Sequence, residues 1–199
     1  VNAANGQCRA DLGTSMPLAK SDFRSAIYNL GGSPTGTASW DSTGKILSLA
    51  AGLVLNTTGS SQFKDGSLSA KVKVGATSNG AALAFRGTGG PGAYRGFTYQ
   101  IDPGAGNKLL IREWIGDGKT EPIVRSFNLP TGTDIRGTNE LQIDLDGNNF
   151  NAKINGVSVG TGTLPTGSPP YDGTGYGRRS WYGSNNTFSD VKLTPDPPQ

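Results

Sequence analysis

The chain has 199 residues, of which 34% are hydrophobic and 17% are charged, and it contains 31 glycines and 12 prolines. This length fits a single domain, and the turn-rich composition excludes a coiled coil and a charge-rich disordered segment. The chain has no histidine and one cysteine, which excludes a Ser-His-Asp triad, a His-ligated zinc site, a Cys-His nucleophile and an intramolecular disulfide.

The formal net charge of +3 comes from 18 basic and 15 acidic residues. The basic residues are scattered, with no run longer than Arg178-Arg179, so we expect no nucleic-acid partner. No stretch approaches the ~20 apolar residues of a membrane-spanning helix, and the first residues lack the pattern of a signal peptide. These features predict a soluble, already processed chain, and we expect it to be secreted or extracellular.

Three segments are expected along the chain. Residues 1–20 are predicted to be irregular because asparagine, glycine, serine and proline interrupt every periodic run. Residues 21–194 are expected to form the folded domain. Residues 195–199 are Pro-rich and are either a simple terminus or the start of a linker to a neighbouring domain in a longer chain.

The dominant pattern is a succession of short β-type runs separated by Gly, Asn, Asp and Pro. The clearest run is Ser67–Val74, where apolar and polar residues alternate as in a strand with one buried face. The other predicted strands are 45–49, 52–55, 81–86, 97–102, 108–115, 123–129, 139–145, 149–154, 157–159 and 187–193. So many short strands predict an all-β, two-sheet antiparallel β-sandwich with negligible helix.

Two sequences between these runs predict tight hairpins. Asp146-Gly147-Asn148 separates the runs 139–145 and 149–154, and Asn155-Gly156 precedes the run 157–159. An Asn-Gly pair supplies the two positive φ angles that a type I′ turn requires. Residues 139–159 are therefore predicted to form a three-stranded meander.

The alternation in the runs 81–86, 97–102 and 108–115 predicts which side chains point away from the core. Bulky apolar residues take one phase, and the opposite phase contains Ala82, Ala84, Arg86, Thr98, Gln100, Asp102, Leu110, Arg112 and Trp114. This mixture suits a sugar-binding groove, since aromatic rings stack on sugar C–H faces and Arg, Gln and Asp hydrogen bond to hydroxyls or carboxylates. The small alanines are expected to leave room for a sugar ring.

Two other interpretations of this face stay open. Arg86 and Arg112 are also able to pair with Asp102 and Glu113 on an ordinary exposed sheet. The same phase turns Glu113 inward, where an unpaired carboxylate is costly, and a bulge near 112–114 would relieve that cost but separate Arg112 from Trp114.

A segment near the C-terminus, Tyr176–Tyr182, concentrates aromatic and arginine residues. With it, the succession SLSAKVKVG, AALAFRG, GFTYQIDP, KLLIREW, LQIDLDGNNFNAKINGVSVG and YGRRSWYGSNNTFSDVKL resembles the concanavalin A-like, laminin-G-like jelly-roll domains over about residues 22–193. Such domains occur as carbohydrate-binding modules, including levan-binding ones, as 3-keto-glycoside hydrolase domains and, more distantly, as fungal glucuronan lyases.

The resemblance implies a jelly roll that binds sugar on a concave face. The residues matching polar or aromatic positions of that face are Arg86, Gln100, Arg112, Arg179 and Trp181, and the strand phase adds Trp114. Arg178 stands where relatives are usually apolar, which leaves the orientation of Arg178 and Arg179 open.

The resemblance also implies a structural calcium ion between the first and last strands. The matching acidic residues are Asp22 and Asp190. Each segment retains one carboxylate, whereas calcium takes about six to eight oxygen ligands, so backbone carbonyls would have to supply most of the shell. Both aspartates are alternatively turn residues.

The sequence therefore predicts a carbohydrate-binding domain that recognises a polysaccharide or oligosaccharide. A polysaccharide-degrading enzyme stays open: a glycoside hydrolase requires two suitably spaced carboxylates, and a lyase requires a cation such as Arg86 or Arg112 with a base such as Tyr99, Tyr94 or a lysine. A structural or adhesive β-sandwich is the third alternative.

Overall fold

A computed structural model describes residues 16–17, 27–28, 38–56, 63–89 and 92–195. Within these residues there are fifteen β-strands and no α-helix. The strands are β1 Met16–Pro17, β2 Ile27–Tyr28, β3 Ala38–Asp41, β4 Ile46–Leu49, β5 Gly52–Asn56, β6 Gly66–Lys73, β7 Ala81–Thr88, β8 Arg95–Asp102, β9 Lys108–Ile115, β10 Ile123–Asn128, β11 Thr138–Asp146, β12 Asn149–Ile154, β13 Val157–Thr163, β14 Gly175–Ser180 and β15 Asn186–Pro195. Among the described residues, no helix has the length and hydropathy that a membrane-spanning segment requires.

The strands form two antiparallel sheets. The first sheet has the order β13-β12-β11-β6-β15-β4-β3, with β1 paired to β15, and the second has the order β10-β9-β8-β7-β14-β5-β2. The inward side chains of both sheets share one apolar core, in which Leu68 and Val72 of the first sheet and Leu83 and Ile111 of the second are buried. The predicted all-β, two-sheet antiparallel sandwich is confirmed.

All eleven predicted strands are present, with ends that differ by a few residues at most positions. The sequence did not predict β1, β2, β3 or β14, and of these β14 lies between β7 and β5 in the second sheet. β14 contains two glycines and two adjacent arginines, so it lacks the alternation of apolar and polar residues that predicts a strand.

Both predicted hairpins are present. β12 and β13 are joined at Asn155 and Gly156, whose φ angles of 51° and 78° are both positive, as a type I′ turn requires. The Asn155 side chain stabilises the turn, because its amide oxygen accepts a hydrogen bond from Glu140 N at 2.8 Å. β11 and β12 are joined at Gly147, with φ of 53°.

The predicted segment boundaries at 20 and 195 stay predictions. Strand β1 lies within the segment 1–20 and pairs with Lys192 and Leu193 of β15. Pro195 is the last residue of β15, and residues 196–199 lie outside the described residues.

Candidate functional site

The outer face of the second sheet is defined by the pairing of β14, β7, β8 and β9. Arg179 lies opposite Ala82, which lies opposite Gln100 on the next strand. Two residues before Gln100 on β8, Thr98 lies opposite Arg112 of β9. These residues therefore share one face, and β8 and β9 pair without a register shift, so Arg112 and Trp114 project to the same side.

Trp114 is buried on this face, with 3% of its surface exposed. It packs in a second apolar cluster with Leu53, Leu55, Ala84 and Tyr94, separate from the core between the sheets. The small side chain at Ala84 accommodates the Trp114 indole of the protein itself. The expectation that the alanines leave room for a sugar ring is wrong at Ala84.

A chain of hydrogen bonds runs along the outer side of β8. The Trp114 indole N–H donates to Thr98 Oγ1 at 3.1 Å, the Thr98 hydroxyl donates to Gln100 Oε1 at 3.3 Å, and Gln100 Nε2 donates to Asp102 Oδ2 at 2.5 Å. Asp102 Oδ1 accepts a further bond from Ala105 N at 2.8 Å. Because Thr98 and Gln100 are fully buried, this series of hydrogen bonds lies beneath the outer face of the second sheet.

Arg179 lies above this layer, between two tryptophans. Its guanidinium carbon is 4.0 Å from the ring centroid of Trp181 and 5.2 Å from that of Trp114. Burial lowers the pKa of Arg179 to about 10, so the side chain stays cationic at neutral pH. Cation–π contact is strongest where the cation is partly desolvated, as Arg179 is.

The orientation of the adjacent arginines is also clear. Arg178 lies opposite Val54 and Leu83, both members of the core between the sheets, and is itself 1% exposed. Arg178 therefore points inward and Arg179 outward.

Glu121, in the loop between β9 and β10, completes the site and was not predicted from the sequence. Its carbonyl oxygen accepts a hydrogen bond from Arg112 Nη1 at 3.0 Å. The loop is shaped by Asp117, whose Oδ1 accepts bonds from Lys119 N and Thr120 N. We call Arg112, Trp114, Glu121, Arg179 and Trp181 the outer cluster.

Three charged members of the outer cluster carry polar atoms without partners. Glu121 Oε2, Arg112 Nε and Arg179 Nε are buried, and none has a hydrogen-bond partner within the described part of the chain. Burial raises the pKa of Glu121 above its ordinary value, while the charges of Arg112 and Arg179 act in the opposite direction. Buried polar groups are normally satisfied, so these three atoms require an explanation, as does Arg86 Nε away from the outer cluster.

Arg86 is not part of the outer cluster. It has a φ of 52° at a register shift between Phe85 and Thr88, and this bulge turns its side chain toward the first sheet. There Arg86 Nη2 pairs with Asp65 Oδ1 at 2.7 Å and donates to the Gly147 carbonyl, and Arg86 is 3% exposed. The predicted outward orientation is wrong because alternation fails at a bulge.

Glu113 points inward, as its phase predicts, but the compensation differs from the bulge that was expected. Its carboxylate accepts a hydrogen bond from the Tyr171 hydroxyl at 2.5 Å. Burial, together with Glu113, raises the pKa of Tyr171 to about 12. The register shift lies between Ile123 and Arg125 of β10 and leaves the pairing of β9 with β8 regular.

The tyrosines considered as lyase bases are engaged inside the protein. The Tyr99 hydroxyl donates to Lys153 O of the first sheet at 3.1 Å, and burial raises its pKa. The Tyr94 hydroxyl donates to Phe97 O at 2.9 Å, and Tyr94 is fully buried. Neither hydroxyl is available to a ligand on the outer cluster.

At the predicted calcium site, Asp190 forms an exposed ion pair with Lys71, with Asp190 Oδ2 at 2.6 Å from the ammonium nitrogen. Asp22 lies outside the described residues. The described residues contain no group of three or more His, Cys, Asp or Glu side chains able to hold a metal ion. The described part of the predicted site therefore does not fit calcium as it stands.

No protein-family model and no curated protein sequence matches this chain. Solved structures do resemble it. The carbohydrate binding module CBM66 from Bacillus subtilis is 15% identical, with 84% of this chain and 94% of that chain covered and a TM-score of 0.62. The Bacillus licheniformis beta-glucanase is 12% identical, with 92% and 98% covered and a TM-score of 0.56.

The exoplasmic/lumenal domain of VIP36 in its Ca²⁺/Man3GlcNAc-bound form is 15% identical, with 79% of this chain and 80% of that chain covered and a TM-score of 0.56. These proteins are concanavalin A-like jelly-roll sandwiches. At such identities the likeness concerns the fold, and the fold expected from the sequence is confirmed.

Proposed function

We propose that the outer cluster is a carbohydrate-binding surface, and that the protein recognises a polysaccharide or oligosaccharide there. One observation carries the proposal: three buried polar atoms on Arg112, Glu121 and Arg179 lack partners in the cluster that contains the partly exposed ring of Trp181. Buried polar groups normally have partners, and a bound ligand would supply partners to all three atoms.

A sugar supplies what these groups lack. Each hydroxyl both donates and accepts a hydrogen bond, so it is able to satisfy an arginine N–H and a carboxylate oxygen together. The C–H face of a sugar ring is apolar and packs on an indole, and Trp181 is the accessible indole of the pair. Trp114 and Gln100, which the sequence placed among the ligand contacts, hold Arg179 and β8 in position from beneath.

The comparisons support this class of ligand. By name, the similar structures include a carbohydrate-binding module, a Man3GlcNAc-bound domain and a glucanase. The fold therefore accommodates both sugar binding and sugar cleavage, and the choice between them depends on the site.

Binding is favoured over hydrolysis by the state of the two acidic residues near the outer cluster. Asp102 has one oxygen bonded to Gln100 and the other to Ala105 N. A hydrolase requires one carboxyl group to donate a proton and the second to attack or to activate water. Asp102 is occupied by internal bonds, which leaves Glu121 alone. Tyr94 and Tyr99, the tyrosines named as lyase bases, are engaged inside the protein and do not serve a lyase, and the outer cluster favours a ligand-binding domain over a structural β-sandwich.

The proposal is tested by a glycan array with the wild type, Arg179→Gln and Trp181→Ala, each incubated with its best ligand and assayed for new reducing ends and unsaturated products. We expect binding by the wild type, loss in both variants and no products. Thr161→Ala, on the first sheet, is the matched control and should bind as the wild type does. Equal binding by all four proteins would place the ligand elsewhere, and product formation would make the protein an enzyme.

Calcium at Asp22 and Asp190 stays a prediction. A calcium ion at Asp190 would have to displace the Lys71 ammonium, which is 2.6 Å from the carboxylate. If the ion binds, added calcium should raise the melting temperature more in Lys71→Met than in the wild type, and EDTA should reverse the rise. If calcium changes the melting temperature of neither protein, the calcium prediction is wrong.

We propose that the protein is secreted or extracellular, where polysaccharide ligands are abundant. Detection of the native protein in the culture medium rather than in the cell lysate tests this proposal. A neighbouring domain beyond the Pro-rich tail also stays a prediction, and the length of the native protein tests it.

A further inference from the structure

Glu121 is the single carboxylate of the outer cluster and lies at the end of the loop that leads into β10. Its backbone is held to β9 by two hydrogen bonds: Arg112 Nη1 donates to its carbonyl oxygen, and Glu113 N donates to the carbonyl oxygen of the next residue, Pro122, at 3.0 Å. Its side chain is not fixed in the same way, since Oε2 is buried without a partner. Glu121 Oε2 is therefore a buried acceptor that has no hydrogen-bond partner in the described part of the protein.

The charged groups facing Glu121 come from three strands. Arg112 of β9 and Arg179 of β14 favour its ionised form, and Asp102 of β8 disfavours it. With Glu121 ionised, two cations and two carboxylates give this group no net charge. With Glu121 neutral, the same group carries one net positive charge. Tyr94 and Tyr182 also lie near Arg179.

The two charge states favour different ligand groups. A sugar hydroxyl accepts from an arginine Nε–H and donates to the ionised Glu121, so it satisfies both kinds of unpartnered atom at once. A uronate carboxylate also accepts from the arginines, but it has no proton to donate and is repelled by an ionised Glu121. When Glu121 is neutral the repulsion disappears, and the carboxylate becomes the stronger partner for the arginines.

We propose that Glu121 sets the choice between neutral and acidic sugars at the outer cluster, selecting neutral sugars while it is ionised and admitting uronates when its charge is removed. This inference rests on the proposed carbohydrate-binding function of the same surface. Glu121 is the specificity-determining residue, and Arg112 and Arg179 serve both ligand classes.

The test uses an array of matched pairs: the β-1,4-linked tetramers of glucose and glucuronate, the β-1,4-linked tetramers of mannose and mannuronate, and the α-1,4-linked tetramers of galactose and galacturonate. The wild type, Glu121→Gln and the control Glu140→Gln, which removes a carboxylate from the first sheet, are compared at about pH 7.5 and about pH 5. The readout is the ratio of neutral to uronate affinity within a pair.

We expect the wild type at about pH 7.5 to favour the neutral member of a pair, and Glu121→Gln to lower that ratio by about tenfold or invert it. Acidification should shift the wild type and Glu140→Gln in the same direction and leave Glu121→Gln unchanged, because burial raises the pKa of Glu121 toward the tested range. The role of Glu121 is wrong, while the binding function stands, if the wild type prefers uronates at about pH 7.5 or if Glu121→Gln leaves the ratio of neutral to uronate affinity unaltered. If the wild type binds no member of any pair, both the role of Glu121 and the proposed function are wrong.

Discussion

Arg179 lies between Trp181 and Trp114, with its guanidinium carbon 4.0 Å and 5.2 Å from the two ring centroids. The two rings have different environments, because Trp114 is 3% exposed and Trp181 is half-buried. Trp114 is a buried member of an apolar cluster and donates a hydrogen bond to Thr98, whereas Trp181 is partly buried and packs against the same cluster from outside. The same cation therefore has one tryptophan beneath it that stabilises the fold and one beside it that is available to a ligand.

This difference predicts opposite effects for two alanine variants. Trp114→Ala should lower the free energy of unfolding by about 3–5 kcal/mol, as expected when a large buried aromatic side chain is removed. Trp181→Ala should lower glycan affinity about tenfold, which corresponds to about 1.4 kcal/mol, with a much smaller effect on folding. Urea unfolding and isothermal titration calorimetry on both variants measure the two effects. Similar stability losses in the two variants would show that both rings belong to the fold.

Much of this face was predictable from the sequence, and the reason is local regularity. Alternation assigns Gln100, Arg112 and Trp114 to one face because β8 and β9 pair without a register shift. Alternation fails at Arg86 because a bulge there reverses the direction of the side chain. A bulge depends on the backbone conformation and on Asp65, neither of which leaves a periodic pattern in the sequence.

Other features of the site depend on contacts that the sequence does not encode locally. Glu121 lies in a loop, where periodicity is absent, and the charge of Arg179 acts on it only because β14 is inserted between β7 and β5. The burial of Trp114 depends on Leu53 and Leu55 of β5, far from β9 in the sequence. The turn residues Asp117 and Gly118 predict a loop but give no indication of what the next carboxylate contacts.

Arg86 provides a prediction about stability. Arg86→Met should lower the free energy of unfolding by about 3 kcal/mol, the lower end of the range for breaking a buried ion pair, because the Asp65 side chain is 34% exposed and partly hydrated. Glycan affinity should be unchanged below the melting temperature, since Arg86 faces the first sheet. Asp65→Asn is the companion variant. A loss of glycan affinity in either variant without a loss of stability would show that Arg86 belongs to the binding surface.

Arg112 should be sensitive to the geometry of its side chain as well as to its charge. Arg112→Lys keeps the charge but loses the planar group whose Nη1 donates to Glu121 O and whose Nε lacks a partner. We expect glycan affinity to fall by about 1.5–3 kcal/mol, the range for a hydrogen bond to a charged group, with stability nearly unchanged. Calorimetric titration beside Lys108→Arg, a nearby substitution on β9, distinguishes this effect from a general one. Retention of full affinity by Arg112→Lys would show that charge alone is required.

Tyr171 and Glu113 provide a pH-dependent prediction. Tyr171→Phe keeps the ring, whose centroid lies 4.6 Å from that of Phe97 in a tilted arrangement, and removes the hydroxyl that donates to the Glu113 carboxylate. The variant should lose about 1–3 kcal/mol of unfolding free energy at neutral pH, because a partly buried carboxylate is left without its donor.

The loss should become smaller at alkaline pH. Tyrosine in an unfolded chain ionises near pH 10, whereas burial and Glu113 raise the pKa of Tyr171 in the folded protein to about 12. Between these values the folded protein holds a proton that the unfolded chain has released, so the stability of the wild type falls as the pH rises through this window. Tyr171→Phe lacks this proton and should have a flatter curve of stability against pH. Burial also raises the pKa of Tyr99, but Tyr99 is present in both proteins, so its contribution cancels in the difference between them. Urea unfolding of both proteins from about pH 8 to about pH 11 measures the two slopes. Parallel curves would show that the Tyr171 hydroxyl is not held by Glu113.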